Sequence, residues 1–223
     1  MLIASIIGSE STTHIAGLIN RLLSSNGKKV SVIDSSSLAG LDLKRIKAYT
    51  GELEKNNVDI LLLKTRIYDA EKLFSGELKP DVVIYTEKED KDCLSGKKEG
   101  SEKLKNIISL MGEKGIAIVN IDESGIDEAL QGPGNNFVTY GFNARASVTT
   151  SSIGDTLFKD SFICCLQRPI PTHNGDIIEP QEYKLKLESG EIDSHDVLAA
   201  ASFAIINGVD INNYGNNRMN MPS

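Results

Sequence analysis

The sequence predicts an α/β fold: a mostly parallel sheet with helices on both faces, and a small antiparallel sheet near the C-terminal end. Three observations predict it. Short apolar runs alternate with segments of helical periodicity through the first two-thirds of the chain. The run Ile60-Leu61-Leu62-Leu63 is continuously apolar, as a strand buried on both faces is. After Gly141, strand-like segments follow one another without helices between them.

Residues 2–7 read as a buried strand. Residues 11–25 read as a helix, because Ile15, Leu18, Ile19, Leu22 and Leu23 fall on one stripe. Gly27 stands where a helix C-terminal glycine belongs. Residues 30–33 form a second strand and 42–56 a more polar second helix. The third strand, 59–63, is apolar enough to be central, and the fourth, 81–85, is introduced by Lys79-Pro80. A helix over 102–111 carries Leu104, Ile107, Ile108 and Met111 on one face. Strands follow at 116–120 and 137–140. Strand–helix units repeated in this way imply parallel pairing. Strands at 147–153, 157–166 and 183–187, with turns at Gly175-Asp176 and Ser189-Gly190, make the small antiparallel sheet. A last helix over 194–207 carries Val197, Leu198, Ala201, Ala204 and Ile205, and the Asn-rich tail from Ile211 is expected to fray. The 223 residues thus read as one domain: an α/β core over 1–141, the small sheet over 142–190, and the final helix and tail over 191–223.

Composition narrows the function. The formal net charge of −7 argues against a nucleic-acid binder or a binder of acidic membranes, since phosphate affinity rests on Lys and Arg. No apolar run approaches a membrane span, and the start of the chain lacks the pattern of a signal peptide, so a cytoplasmic location is expected. Cys93, Cys164 and Cys165 fit neither a disulfide framework nor a zinc site, and the three histidines match no metal motif. Cys164 and Cys165 are adjacent in a strand and so point to opposite faces.

The first strand runs into Gly8-Ser9-Glu10-Ser11-Thr12-Thr13-His14 and then a helix. A strand–turn–helix of this kind offers free N–H groups and a helix dipole to an anion. Here no Gly-Lys pair is present to neutralise a phosphate, and Glu10 stands in the turn. Glu10 can occupy the helix end itself, with Ser or Thr capping the helix.

In order and spacing, several strings resemble the central, ATP-binding domain of the Mur ligase family, which includes the peptidoglycan amino-acid ligases, folylpolyglutamate synthase and cyanophycin synthetase. Gly8 through His14 is similar to the family's G-T-N-G-K-T-T-T loop with two residues deleted. Pro80 through Thr86 resembles the strand before its T-N segment. Ala117 through Asp122 resembles its A-V-x-N-x-D-D strand end. Val138 through Asn143 resembles the following T-Y-G strand. Gly190 through Ala200 resembles its G-x-H-N-x-x-N-x-L-A-A helix start. The resemblance implies a P-loop NTPase-like fold. It also implies a chemistry in which ATP makes an acyl phosphate that an amino group attacks, with a lysine on the phosphates and a hydroxyl and carboxylates on magnesium.

The positions that the resemblance carries over are Gly8, Ser9, Glu10, Ser11, Thr12 and Thr13 in the loop, with Lys64, Asn120, Asp122 and Asp196 around it. Lys64 stands where the family has a magnesium-binding glutamate, and a lysine repels the metal. One reading pairs Lys64 with Glu10; another lets it reach solvent. The family's Asn and Asp-His positions after Thr86 are replaced by the charged run 87–93, and Lys103 or Lys105 falls near the position of a modified lysine. The family's flanking substrate domains have no counterpart in these residues.

Three functions are compatible with these features. The first is a degenerate Mur-ligase-like domain without amide-ligase activity, with a binding or structural role that the resemblance links to cell-wall or polyamino-acid metabolism. It needs no cofactor, catalytic residue or metal ligand, and its partner is another protein or a second copy. The second is an ATP-dependent acid–amino-acid ligase domain that uses ATP and magnesium and works with partner chains. The third is a binder of a small anion or nucleotide through the Ser/Thr-rich turn.

Overall fold

The computed structural model describes residues 1–8, 11–38, 41–76, 78–86, 96–123, 126–130, 136–151, 161–187 and 193–214. Ser9 and Glu10, the charged run 87–93 and the turn at Ser189-Gly190 lie outside these residues. So do most of the link between the strands expected at 147–153 and 157–166, and the end of the tail.

Eleven strands and six helices are described. They are β1 (Leu2–Ile7), α1 (Thr12–Ser24), β2 (Val30–Asp34), α2 (Leu43–Lys55), β3 (Ile60–Thr65), α3 (Ile67–Phe74), β4 (Val82–Tyr85), α4 (Gly96–Ser109), β5 (Ile116–Asn120), α5 (Ile126–Ala129), β6 (Asn136–Tyr140), β7 (Val148–Thr150), β8 (Ser161–Leu166), β9 (Ile170–Pro171), β10 (Ile177–Ile178), β11 (Gln181–Lys186) and α6 (Ser194–Ile206). The main sheet has nine strands in the order β11-β8-β7-β6-β5-β4-β1-β3-β2. Strands β2 through β7 pair in parallel, β7–β8 and β8–β11 antiparallel. The small antiparallel sheet is the two-stranded β9–β10 pair. Strands β7, β8 and β11, expected to make that small sheet, instead continue the main sheet as an antiparallel flank, because β7 pairs with β6.

Helices α1 and α6 cover one face, where Ile15, Leu18, Ile19 and Leu22 of α1 meet Val197, Leu198 and Phe203 of α6 in one buried cluster. The other face carries α3, α4 and α5, with Ala70, Phe74, Leu104, Ile107 and Ile126 buried. Ile46, Tyr49 and Leu53 of α2 pack on the rim of that cluster. Helix α6 is buried on all sides from Asp196 to Ile206, which its run of Ala, Leu, Ile and Phe allows.

Several sequence details recur in the structure. Gly27 ends α1 with φ +78°, a left-handed turn that glycine enters freely. Asp42 caps α2 by accepting from the Arg45 N–H at 2.8 Å. Cys164 is buried and Cys165 half-buried, as alternation requires. Other details differ. The apolar β3 is interior, but it lies beside the edge strand β2. Helix α3 is only 8 residues long, too short for a clear periodicity to stand out. The tail does not fray at its start: Ile211 is fully buried and Asp210 caps a 3-10 turn over Ile211–Asn213.

Candidate functional site

In a parallel sheet, loops from the carboxyl ends of the strands meet along one edge, and ligands collect where the strand order reverses. Here that place is beside β1, which has β3 on one side and β4 on the other. The sequence-expected residues gather along this edge: Gly8, Ser11, Thr12 and Thr13 after β1, Lys64 near the end of β3, Asn120 and Asp122 at the end of β5, and Asp196 in the first turn of α6.

The turn after β1 is held against the end of β4. The Ser11 hydroxyl donates to Thr86 Oγ1 at 3.2 Å, and the Thr86 hydroxyl donates to the Ile7 carbonyl at 3.2 Å. The Thr86 amide donates to the same carbonyl at 2.8 Å, and the Gly8 amide to Thr65 at 3.1 Å. A Cβ on Gly8 would collide with Thr86 Oγ1, so only glycine permits this approach. Ser11 occupies the N-cap position of α1 but makes no side-chain cap bond, because its hydroxyl is turned to Thr86. The Ser or Thr capping expected in this turn is therefore not supplied by the Ser11 side chain. Thr12 is buried and Thr13 exposed. Ser9 and Glu10 fall outside the described residues, and with them the proposed Glu10–Lys64 pair.

Lys64 does not simply reach solvent. Its Nζ lies 3.4 Å from Thr13 Oγ1 and 3.9 Å from Asp34 Oδ2. Asp34 is the register partner of Lys64 in the neighbouring strand. Its carboxyl is held below the ordinary value by the Ser36 hydroxyl at 2.6 Å and the Ser36 amide at 3.0 Å, with Lys64 and Arg66 adding positive charge. Neither Asp34 nor Thr86 was singled out in the sequence as a site residue. Both are strand-end residues, and the edge they belong to is set only once the strands are ordered.

The second cluster centres on Asp122. Its carboxylate accepts from the amides of Phe142 at 2.6 Å and Asn143 at 2.9 Å, and lies 3.0 Å from His195 Nε2. Burial pushes this carboxyl up, but the two amides and the imidazole outweigh it and hold it below the ordinary value. Asn120 Oδ1 accepts from the Asp122 amide at 3.0 Å, which shapes the turn. Gly141 has φ +147°, and a Cβ there would lie 2.5 Å from Asp122 Oδ2. The other nitrogen of His195 lies 3.5 Å from Asp193 Oδ1, and its ring stands 4.4 Å from the Phe142 ring at 55°. Asp196 is buried and lies 3.8 Å from Nδ1 of the exposed His14. The Phe142 and His195 contacts have no signal in the sequence, since they join segments far apart in the chain.

Below the edge, burial pushes the phenol of Tyr140 up, with Asp196, Glu123, Asp193 and Asp122 adding to the effect. No group of three or more His, Cys, Asp or Glu is placed to hold a metal among the described residues. No helix among them is long and apolar enough to cross a membrane.

No family model matches the chain, and no curated protein matches it. Solved structures do. The chain is similar to a UDP-N-acetylmuramoyl-L-alanyl-D-glutamate–2,6-diaminopimelate ligase (TM-score 0.69, 16% identity, 95% of this chain and 44% of that one). It is similar to the MurF ligase from Thermotoga maritima in complex with ADP (TM-score 0.59, 17% identity, 96% and 47%). It is also similar to FolC from E. coli in complex with DHPP and ADP (TM-score 0.57, 14% identity, 94% and 54%). The chain spans about half the length of these structures. The fold is Mur-ligase-like, as the ordered strings of the sequence led one to expect.

Proposed function

We propose that this chain is a Mur-ligase-like domain that has lost amide-ligase chemistry and serves a binding or structural role in the cytoplasm. The observation that carries the reading is the Lys64 ammonium, seated between Thr13 and Asp34 where the family resemblance calls for a magnesium-binding carboxylate. Phosphoryl transfer depends mainly on stabilising charge, and a cation at the metal position opposes it. The hydroxyl of Ser11, in the loop that the resemblance carries over, donates to Thr86 and ties the turn to the end of β4. Both contacts support the reading that this edge no longer holds a magnesium–nucleotide complex. A link to cell-wall metabolism rests on the names of the similar ligases. Calorimetry with ATP and magnesium tests the proposal. No heat of binding is expected at millimolar nucleotide; saturable binding below that would overturn it in favour of an ATP-dependent acid–amino-acid ligase that works with partner chains.

One observation favours a second reading, a site for a small anion. The Lys64 ammonium stands beside the first turn of α1, the positive end of the helix dipole, which also attracts negative charge. A titration with inorganic phosphate separates the two readings. Binding that the Lys64→Met substitution abolishes favours the anion site; no binding by the unmodified protein removes it.

A further inference from the structure

The two ends of the main sheet are treated differently. Strand β11 closes one end with Glu182, Lys184 and Lys186 exposed, and the outward amide of Lys184 is already taken by Asn212 Oδ1 at 2.7 Å. Charged side chains and a capped amide are the usual protection of a sheet edge. Strand β2 closes the other end and, among the described residues, has neither device along Val30, Ser31, Val32 and Ile33. It contains no Lys or Pro, and Val32 is 37% exposed.

Its register fixes which groups point outward. The Lys29 carbonyl accepts from the Ile60 amide at 3.2 Å, so Ser31 and Ile33 turn their amides toward β3. Val30, Val32 and Asp34 therefore turn theirs away from the sheet. An antiparallel second copy centred on Val32 sets Val32 opposite its own twin and Val30 opposite the copy's Asp34. All three residues then exchange main-chain bonds across one two-fold axis. Charge fits the same register. Lys28, exposed and without an ion pair among the described residues, falls diagonal to the copy's Asp34 on the same face. Asp34 is itself half-exposed, so it can accept a further donor beside Ser36 and Lys64. The axis repeats the contact, and the two valines form a β-branched cross-strand pair.

We infer that β2 is a dimerisation edge, through which two copies of this chain join their sheets into one. This goes beyond the proposed function and does not depend on whether the carboxyl edge binds a nucleotide. The strand pair is only five residues long and buries less than the ~1,000 Å² of a strong interface, so the dimer is weak.

Sedimentation equilibrium of the whole chain tests the inference. A reversible dimer is expected between about 10 μM and about 1 mM, with slowed hydrogen exchange of the Val32 amide at the upper end. A monomer across that range overturns it. Val32→Pro removes an outward N–H without touching the ladder to β3, so it should leave a folded monomer with an unchanged circular dichroism spectrum. If Val32→Pro folds and still dimerises, the interface lies elsewhere and the inference fails. Lys28→Glu, which lies outside the strand and removes no side-chain hydrogen bond or ion pair among the described residues, keeps the test open should the proline variant unfold. It should weaken the dimer about tenfold through two repeated charge contacts; an undiminished dimer overturns the assignment.

Discussion

Asp122 is tied into the fold by its own neighbours. Its carboxylate fills the space in front of two amides and an imidazole, and Gly141 leaves it room. Gly141→Ala should cost about 1–3 kcal/mol, because the added methyl both strains a left-handed backbone and displaces the carboxylate. Chemical denaturation measures it. Asp122→Asn should cost a similar ~1–3 kcal/mol at neutral pH by weakening those bonds. Its pH dependence has a definite sign. The folded carboxyl lies below its ordinary value of 3.8, so its contribution is full above that value and is lost as pH falls through the lower folded value. The gap in stability between the wild type and Asp122→Asn should therefore narrow in acid; a gap that widens there contradicts the account. At this scale the sequence was partly legible. Asn120, Asp122 and Asp196 could be named from short strings. Their partners could not, because Phe142 and His195 reach Asp122 across 20 and 73 residues of chain.

Among the elements, α1, β1 and α6 were read nearly residue for residue. Their stripes and runs are long, and Gly27 marks a stop that physical chemistry makes almost obligatory. Helices α3 and α5 escaped because 8 and 4 residues carry too little periodicity. Strands β7, β8 and β11 were seen, but they join the main sheet through β7 rather than forming a separate one, a choice of hydrogen-bond partner that local pattern does not encode, and the two-residue β9 and β10 were too short to read. Helix α6 is the core's main cover on one face, and Leu198 within it is fully buried. Leu198→Ala should lower stability by about 2–5 kcal/mol, through lost burial and the cavity left behind. Thermal or denaturant unfolding measures the loss, and a change below ~1 kcal/mol would mean that α6 packs less tightly than described.

For the whole molecule, the alternation of strands and helices was enough to predict the sheet, its parallel sense and its two covered faces. The Mur-ligase-like fold follows from that alternation together with the ordered strings. Function was less legible, because it turns on how strand ends meet. Two changes read singly in the sequence, a shortened loop and a lysine for a glutamate, lie along one edge: Thr86 holds the turn, and Thr13 and Asp34 hold Lys64. The account's central claim is that protein contacts have replaced a nucleotide along this edge. The most direct test follows the backbone amides of Gly8, Thr13, Lys64 and Phe142 by nuclear magnetic resonance while ATP and magnesium are added to millimolar excess. The account predicts no saturable shift at any of the four. A saturating shift localised to them would show that the edge still takes a nucleotide and would contradict it.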